Sequence, residues 1–175
     1  MRQSHTFPIV LTALFAALTC VATMFIRIPS PTGGYLNLGD GIVLMSAYLL
    51  GPIWGTAAAG LGSMLADVLS GYAAYAPGTL AIKAVTALIA ALLYRRFTKA
   101  RIPLSGLCGE LFMALGYFAY TAVFLSYGPG AAAEIPGNLA QGAAGIAVAA
   151  LLTPALLSNR EVSELVGKVD TGKKE

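Results

Sequence analysis

The sequence has few charged residues for its length. Asp, Glu, Lys and Arg make up 11% of the 175 residues, whereas a soluble domain usually carries about 25%. Hydrophobic residues make up 57%, and the mean hydropathy is +0.75. A chain with so little charge lacks the solvated surface of a soluble protein, so we expect an integral membrane protein. The period-two alternation of a membrane barrel is missing as well, which favours a helical bundle.

Motifs of enzymes and metal sites are also missing. The sequence has no phosphate-binding loop, no His-Glu-x-x-His and no Gly-x-Ser-x-Gly, and its single histidine, His5, precedes the first apolar run. Cys20 and Cys108 have no metal-binding spacing, so we expect small buried apolar side chains at both positions. The sequence therefore predicts a protein that is not an enzyme, with no catalytic residue, no metal site, no cofactor and no nucleic-acid partner.

Apolar runs divide the chain into six predicted helices, since a membrane crossing takes about 20 apolar residues. The helices are expected at 7–28, 38–53, 54–71, 79–95, 104–126 and 136–158. Gly51 and Pro52 allow a tight reversal between the second and third, which together would be too long for one crossing. The sequence thus predicts an all-α polytopic membrane protein: a single domain, residues 1–175, with an uncleaved first helix and a frayed polar tail at 159–175.

Basic residues indicate the orientation. Four of them lie within 94–101 with no acid, and the tail carries four more at 160, 168, 173 and 174. Arg2, these two segments and both termini fall on one side if the chain crosses six times. Because cytoplasmic loops carry the excess of Lys and Arg, we expect both termini in the cytoplasm of a cell membrane.

Two charged residues lie inside predicted helices, where a charge usually faces a cavity or a partner. Asp67 and Lys83 are each about four residues from the outer end of their helix, or roughly 6 Å below it. They are well placed to meet. Either they only neutralise each other and hold two helices together, or one or both face a ligand.

Other polar and aromatic side chains collect at the same outer level. Asp40 would lie in the first turn of its helix, where the helix dipole favours a carboxylate, so it is either a cap or a ligand contact. The outer tyrosines are either an interfacial belt or pocket walls. The predicted binding residues are Tyr35, Asn37, Asp40, Asp67, Tyr75, Lys83, Asn138 and Gln141.

Glu110 falls near the inner start of the fifth predicted helix, beside the basic residues Arg96, Lys99 and Arg101. A carboxylate in the first turn of a helix is stabilised by the helix dipole and by such a loop. We therefore expect Glu110 to have a structural role at the cytoplasmic surface.

Small residues recur every fourth position in the first helix. Ala13 and Ala17 form one ladder, and Thr12, Ala16 and Cys20 form another. Such ladders let helices approach closely in lipid. The first helix lies next to the chain terminus, so one ladder is available for contact with another subunit.

Long stretches of the sequence resemble a known family. The segments "TALFAALTCVATMFIRIP" and "GGYLNLGDGIVLMSAYLLGPIWGTAAAGLGSMLADVLSGYAAYAPGTLAIKAV", with the six-helix layout and basic loop, are similar to the substrate-binding S components of energy-coupling factor (ECF) vitamin transporters. The resemblance covers residues 7 to 158 and is closest to the branch of riboflavin, hydroxymethylpyrimidine and pyridoxine S components.

This resemblance implies a function and partners. It implies a prokaryotic membrane subunit that binds a vitamin near the outer face and topples in the membrane. It also implies a transmembrane coupling protein and two ATPase subunits as partners, with Ala13 and Ala17 matching the family's docking motif. The loop from Pro29 to Asp40 matches the segment that commonly caps the ligand in the family.

Several alternatives stay open. We expect a small ring such as pyridoxine or hydroxymethylpyrimidine, but the same role for riboflavin, pantothenate or folate is an alternative. A membrane scaffold subunit whose polar pairs are purely structural is another. A third is an independent secondary transporter that works without ATPase partners.

Overall fold

The computed structural model describes residues 6–171, and it is a helical bundle with one small strand pair. The helices are α1 (Thr6–Phe25), α2 (Asp40–Leu69), α3 (Ala76–Arg96), α4 (Arg101–Val123), α5 (Ile135–Ser158) and α6 (Arg160–Thr171). The strands β1 (Arg27–Pro29) and β2 (Tyr35–Asn37) join α1 to α2, and a 3₁₀ segment, Gly128–Glu134, leads into α5. Five of the described helical segments are long and apolar enough to cross a membrane: Thr6–Phe25, Asp40–Leu69, Ala76–Arg96, Arg101–Val123 and Gly128–Ser158.

Helix α2 reverses direction at Gly51. This residue has φ 77° and ψ −173°, a conformation that only glycine adopts without strain. The Ser46 hydroxyl reaches the carbonyl oxygen of Gly55 at 3.1 Å, whereas residues nine apart in a straight helix are about 13 Å apart. The hairpin expected at 51–55 is therefore present, and its turn lies at Gly51 rather than between residues 53 and 54.

The first arm of α2, residues 40–50, is the centre of the bundle. Every residue of this arm except Ile42 is buried. At 1.5 Å per residue the arm is only about 16 Å long, too short to cross a bilayer core of about 30 Å by itself. The other helices shield it from lipid, because α2 packs against α1, α3 and α5.

Helix α1 packs on the second arm of α2, residues 52–69, through one of its two small-residue ladders. Thr12, Ala16 and Cys20 are buried, and a Cβ placed on Gly62 would lie 2.4 Å from the Ala16 carbonyl oxygen. The backbones are thus in direct contact. Ala13 and Ala17, each about 100° further around α1, are exposed.

Two ends of the bundle differ in composition. We call the end with β1, β2 and the 3₁₀ segment the strand end. The opposite end carries Arg95 and Arg96 in the last turn of α3 and Arg101 at the start of α4, and we call it the basic end. The turn of α2 and the start of α1 also lie at the basic end.

The chain departs from the expected elements at residues 27–37, which we call the strand segment, and at its tail. Residues 27–29 pair as a strand with 35–37, in the register Arg27↔Asn37 and Pro29↔Tyr35, so the first helix ends at Phe25 rather than at residue 28. The expectation of a frayed tail is wrong for the described part. Residues 160–171 form α6, and Val169, 6% exposed, packs in a cluster with Ala16 and Leu50.

Candidate ligand-binding site

A narrow polar cavity lies at the strand end. It is lined by Thr23, Ser30, Gly34, Tyr35, Asn37, Ser63, Asp67, Tyr75, Thr79, Lys83, Tyr117, Glu134, Asn138 and Gln141. These residues come from α1 to α5, the strand segment and the 3₁₀ segment, except Tyr75, which directly precedes α3. The cavity volume is only about 30 Å³, which leaves room for one or two water molecules. A ring-sized ligand therefore requires the lining to move apart.

The cavity brings together every residue predicted for the site except Asp40, which lies one layer beneath it. Lys83 donates a hydrogen bond from Nζ to Asp40 Oδ1, and both side chains are buried. Gln141 donates from Nε2 to Asp40 Oδ2 at 2.6 Å, and its Oε1 accepts a bond from the Asn37 backbone N–H at 2.7 Å. Two lining residues, Lys83 and Gln141, are thus held by a carboxylate behind them.

The expected pairing of Lys83 with Asp67 is wrong. Asp40 lies in the first turn of its helix as expected, but of the two roles left open for it, the cap is not the one observed. Lys83 pairs with Asp40, because the first arm of α2 is the central helix and points its first residue at α3. Asp40 makes no capping bond: the cap position, Gly39, has no side-chain partner, and the Asp40 carboxylate is engaged by Lys83 and Gln141.

Asp67 meets the strand segment instead. It is 4% exposed, and its Oδ1 accepts a hydrogen bond from the Tyr35 hydroxyl at 2.7 Å. Burial, and then the hydrogen bond to Asp67, raise the pKa of the Tyr35 hydroxyl above its usual range, so Tyr35 remains a protonated donor. The other oxygen, Oδ2, has no hydrogen-bond partner among the described residues.

A second contact joins the strand segment to the 3₁₀ segment. The Thr32 hydroxyl donates to Glu134 Oε2 at 2.7 Å, and the Tyr75 hydroxyl donates to the Thr32 carbonyl at 2.7 Å. Glu134 is 4% exposed, and its Oε1 has no partner in the part of the chain that the structure describes. The strand segment is therefore held over the cavity by hydrogen bonds to two buried carboxylates.

Sequence reasoning missed several lining residues. They are Thr23, Ser30, Gly34, Ser63, Thr79, Tyr117 and Glu134. Glu134 had a signal, because it is the single acid in the apolar segment between α4 and α5. The hydroxyl groups of Thr79 and Tyr117 lie 3.0 Å apart. No feature of the sequence indicated these two residues, since uncharged polar residues are common on every face of the helices.

Glu110 lies under the site, not at the basic surface, so that expectation is wrong. Helix α4 begins at Arg101, three residues earlier than expected, and Glu110 falls in its middle. It is 4% exposed and lies close to Asp40 and Lys83. A Cβ on Gly142 would lie 2.7 Å from the Glu110 Cβ, so this glycine lets α5 pack directly on the carboxylate side chain.

The polar groups of the cavity are of mixed chemical type. Within residues 6–171, no three His, Cys, Asp or Glu side chains come together as a metal site requires. The cavity instead combines carboxylates, amides, hydroxyls and tyrosine rings. Such a set orients a small organic ligand through hydrogen bonds and aromatic contact.

The apolar helices and the covered polar cavity are those of a multi-pass membrane protein with a candidate small-molecule site at one end of its bundle. The family model described as "ECF-type riboflavin transporter, S component" matches residues 4–158. The chain belongs to this family, which confirms the resemblance inferred from the sequence. A protein from Pyrococcus woesei, described as an uncharacterized protein in a gap 3' region, is 40% identical over 131 residues, or 73% of this chain and 86% of the relative.

Membership in the family identifies the class of activity. S components are vitamin-binding subunits of membrane transporters that associate with an ECF module, and they are not a class of enzymes.

Proposed function

We propose that this protein is the high-affinity vitamin-binding S component of an ATP-driven ECF importer. The vitamin would bind in the cavity at the strand end, in contact with Tyr35, Asn37, Asp67, Tyr75, Lys83, Asn138 and Gln141. Asp40 would act behind the cavity by holding Lys83 and Gln141. The observation that carries the proposal is the polar cavity under the strand segment in a chain that belongs to the S-component family.

A small ring such as pyridoxine or hydroxymethylpyrimidine is the ligand that we favour. The narrowness of the cavity supports a small ligand, because each additional ring would require a larger displacement of the strand segment. Riboflavin is the second candidate, and the description of the family model supports it.

We further propose six crossings of a prokaryotic cell membrane, with both termini in the cytoplasm and the strand end outside. Support comes from the reversal at Gly51, which adds a sixth passage through the bundle. The basic residues at the other end support the same orientation. The strand segment would then act as an outward-facing lid, and toppling would carry the ligand inward.

The proposed partners are a transmembrane coupling protein and two ATPase subunits. Ala13 and Ala17 are the proposed docking residues for the coupling protein. Their exposure on α1 supports this role, because small residues on a free helix face allow close approach of a second helix.

Titration calorimetry on the purified chain in detergent tests the ligand-binding role. We expect one compound from a panel of B vitamins and their precursors to bind with a Kd below about 1 μM, or about −8 kcal/mol. Absence of binding by any member of the panel would contradict the proposal. The alternative of a scaffold subunit predicts this absence of binding. The buried Lys83–Asp40 pair, taken alone, would also be compatible with a scaffold.

Uptake measurements separate an S component from an independent transporter. Cells that express this chain with an ECF module should accumulate the labelled vitamin, and cells whose ATPase subunits are inactivated should not. Accumulation that persists without the ATPases and follows an ion gradient would favour the secondary transporter instead.

A further inference from the structure

Two carboxylates in the cavity each keep one oxygen unengaged. Asp67 Oδ2 and Glu134 Oε1 are buried and have no hydrogen-bond partner among residues 6–171, while the other oxygen of each group accepts a bond from the strand segment. The hydroxyl of Ser63, 2% exposed and also on the cavity wall, is likewise without a partner in that range. Buried hydroxyl groups elsewhere in the bundle, such as those of Thr86 and Thr153, also lack a partner among the described residues. What distinguishes these three atoms is that they share one cavity, where a bound ligand would supply the missing hydrogen bonds.

The charges around the cavity are unequal. Lys83 is the one cation among the lining residues that the structure describes, and Asp40 behind the wall pairs with it. Among the described residues neither Asp67 nor Glu134 forms an ion pair; Lys83 acts on Asp67 only at longer range, and Glu110 lies close to the Lys83–Asp40 pair. Arg27, the charged residue of β1, is exposed. A negatively charged ligand group would contact Lys83 but would also stand beside two unpaired carboxylates, which repel it.

We infer that the cavity selects ligands that present hydrogen-bond donors and carry no negative charge. Donors such as ring N–H, amino or hydroxymethyl groups would bond Asp67 Oδ2 and Glu134 Oε1, while Tyr35 and Thr32 keep the other two oxygens. An ionised carboxylate accepts several hydrogen bonds, so ligand and strand segment can share each group. This inference rests on the proposed function and excludes free acids and phosphate esters as the physiological ligand.

Matched pairs of compounds test the selection on the purified chain in detergent at pH 7. We would titrate pyridoxine against pyridoxine phosphate, riboflavin against riboflavin phosphate, and nicotinamide against nicotinate. The last two compounds differ little in size, so this pair isolates the effect of charge, whereas each phosphate ester is also larger than its parent alcohol. In each pair that binds, the uncharged member should bind at least tenfold more tightly, since a hydrogen bond to a charged group contributes about one to two powers of ten in affinity.

The nearly isosteric variants Asp67→Asn and Glu134→Gln remove the negative charge and replace one acceptor oxygen by a donor NH2 group. Each variant should bind the uncharged compound more weakly. The ratio of the Kd of the anionic compound to that of the uncharged compound should also fall by about tenfold, because one repelling charge is gone. Glu164→Gln is the matched control: this carboxylate is exposed on α6, where it pairs with Arg160, and its removal should leave both affinities unchanged.

The outcomes separate this inference from the proposed function. Tighter binding of an anionic compound, or a preference that neither carboxylate variant alters, overturns the inference and leaves the vitamin-binding role intact. Absence of binding by every compound in a full vitamin panel overturns the proposed function, and the inference with it. If a variant fails to fold, the comparison of compounds on the unaltered chain still decides.

Discussion

A lysine buried in a membrane helix needs a counter-charge, because an isolated ammonium in a medium of low polarity is costly. Lys83, 2% exposed, has Asp40, which is fully buried and is held in turn by Gln141. Asp67 lines the cavity and accepts a hydrogen bond from the Tyr35 hydroxyl. The two aspartates therefore have different roles: one neutralises a cation, and the other faces the cavity.

Stability measurements on single and double variants should separate these roles. Asp40→Asn leaves the Lys83 ammonium without its counter-charge and should lower the free energy of unfolding by about 3 kcal/mol. Lys83→Met combined with Asp40→Asn should cost less than the sum of the two single changes, because the double variant has no unpaired charge. The measurement is thermal unfolding of each purified variant in detergent.

Asp67→Asn serves as the comparison, since Asp67 forms no ion pair within the part of the chain that the structure describes. Its unfolding temperature should fall less than that of Asp40→Asn.

Additive effects of the Asp40 and Lys83 substitutions, within about 0.5 kcal/mol, would show that the pair does not couple.

At the scale of the helices, glycine positions set how closely the backbones approach. Gly62 lies against the carbonyl oxygen of Ala16, so α1 and α2 meet without an intervening side chain. A backbone atom cannot rotate away as a side chain can. The spacing of these two helices, and with it the position of Thr23 in the cavity wall, depends on that one missing methyl group.

Gly62→Ala should therefore destabilise the protein, although alanine is the better helix former. Overpacking costs about 1–3 kcal/mol, more than the gain of about 1 kcal/mol in helix propensity. Gly130→Ala is the control, because a Cβ there meets no atom within 4 Å. Unfolding temperatures of both variants in detergent give the answer, and equal values would contradict the packing argument.

At the scale of the whole molecule, the site and the proposed docking face lie apart. The cavity takes one residue from α1, Thr23, near the strand end, whereas Ala13 and Ala17 are about 9–15 Å further along the helix. They belong to an exposed face with Val10 and Leu14. Ligand binding and assembly are thus separable by substitution.

Ala13→Trp with Ala17→Trp should abolish co-purification with the coupling protein and change ligand affinity less than threefold. The bulky rings would hold a partner helix away from the α1 backbone. Leu151→Trp is the control for a tryptophan in the lipid-facing surface, since Leu151 is 74% exposed on α5. Retained assembly of the double variant would rule out docking through this face.

Much of the architecture could be predicted because it depends on local composition. Apolar length predicts the helices within a few residues, and Pro52 beside Gly51 predicts the reversal. The level of Asp67 and Lys83 follows from counting residues along each helix. The partner of Lys83 could not be found in this way, because counting gives depth but not the direction in which a side chain points around the helix axis.

Scarce charge and long apolar runs already identify this chain as a helical membrane protein, and residue counts along the helices place most of the polar residues of its interior at one end. Which of those residues meet depends on how the helices pack. Packing the first arm of α2 at the centre turns Asp40 toward Lys83 and brings Glu110 beneath them. The same packing leaves Asp67 and Glu134 facing the cavity, each with one oxygen that has no hydrogen-bond partner among residues 6–171.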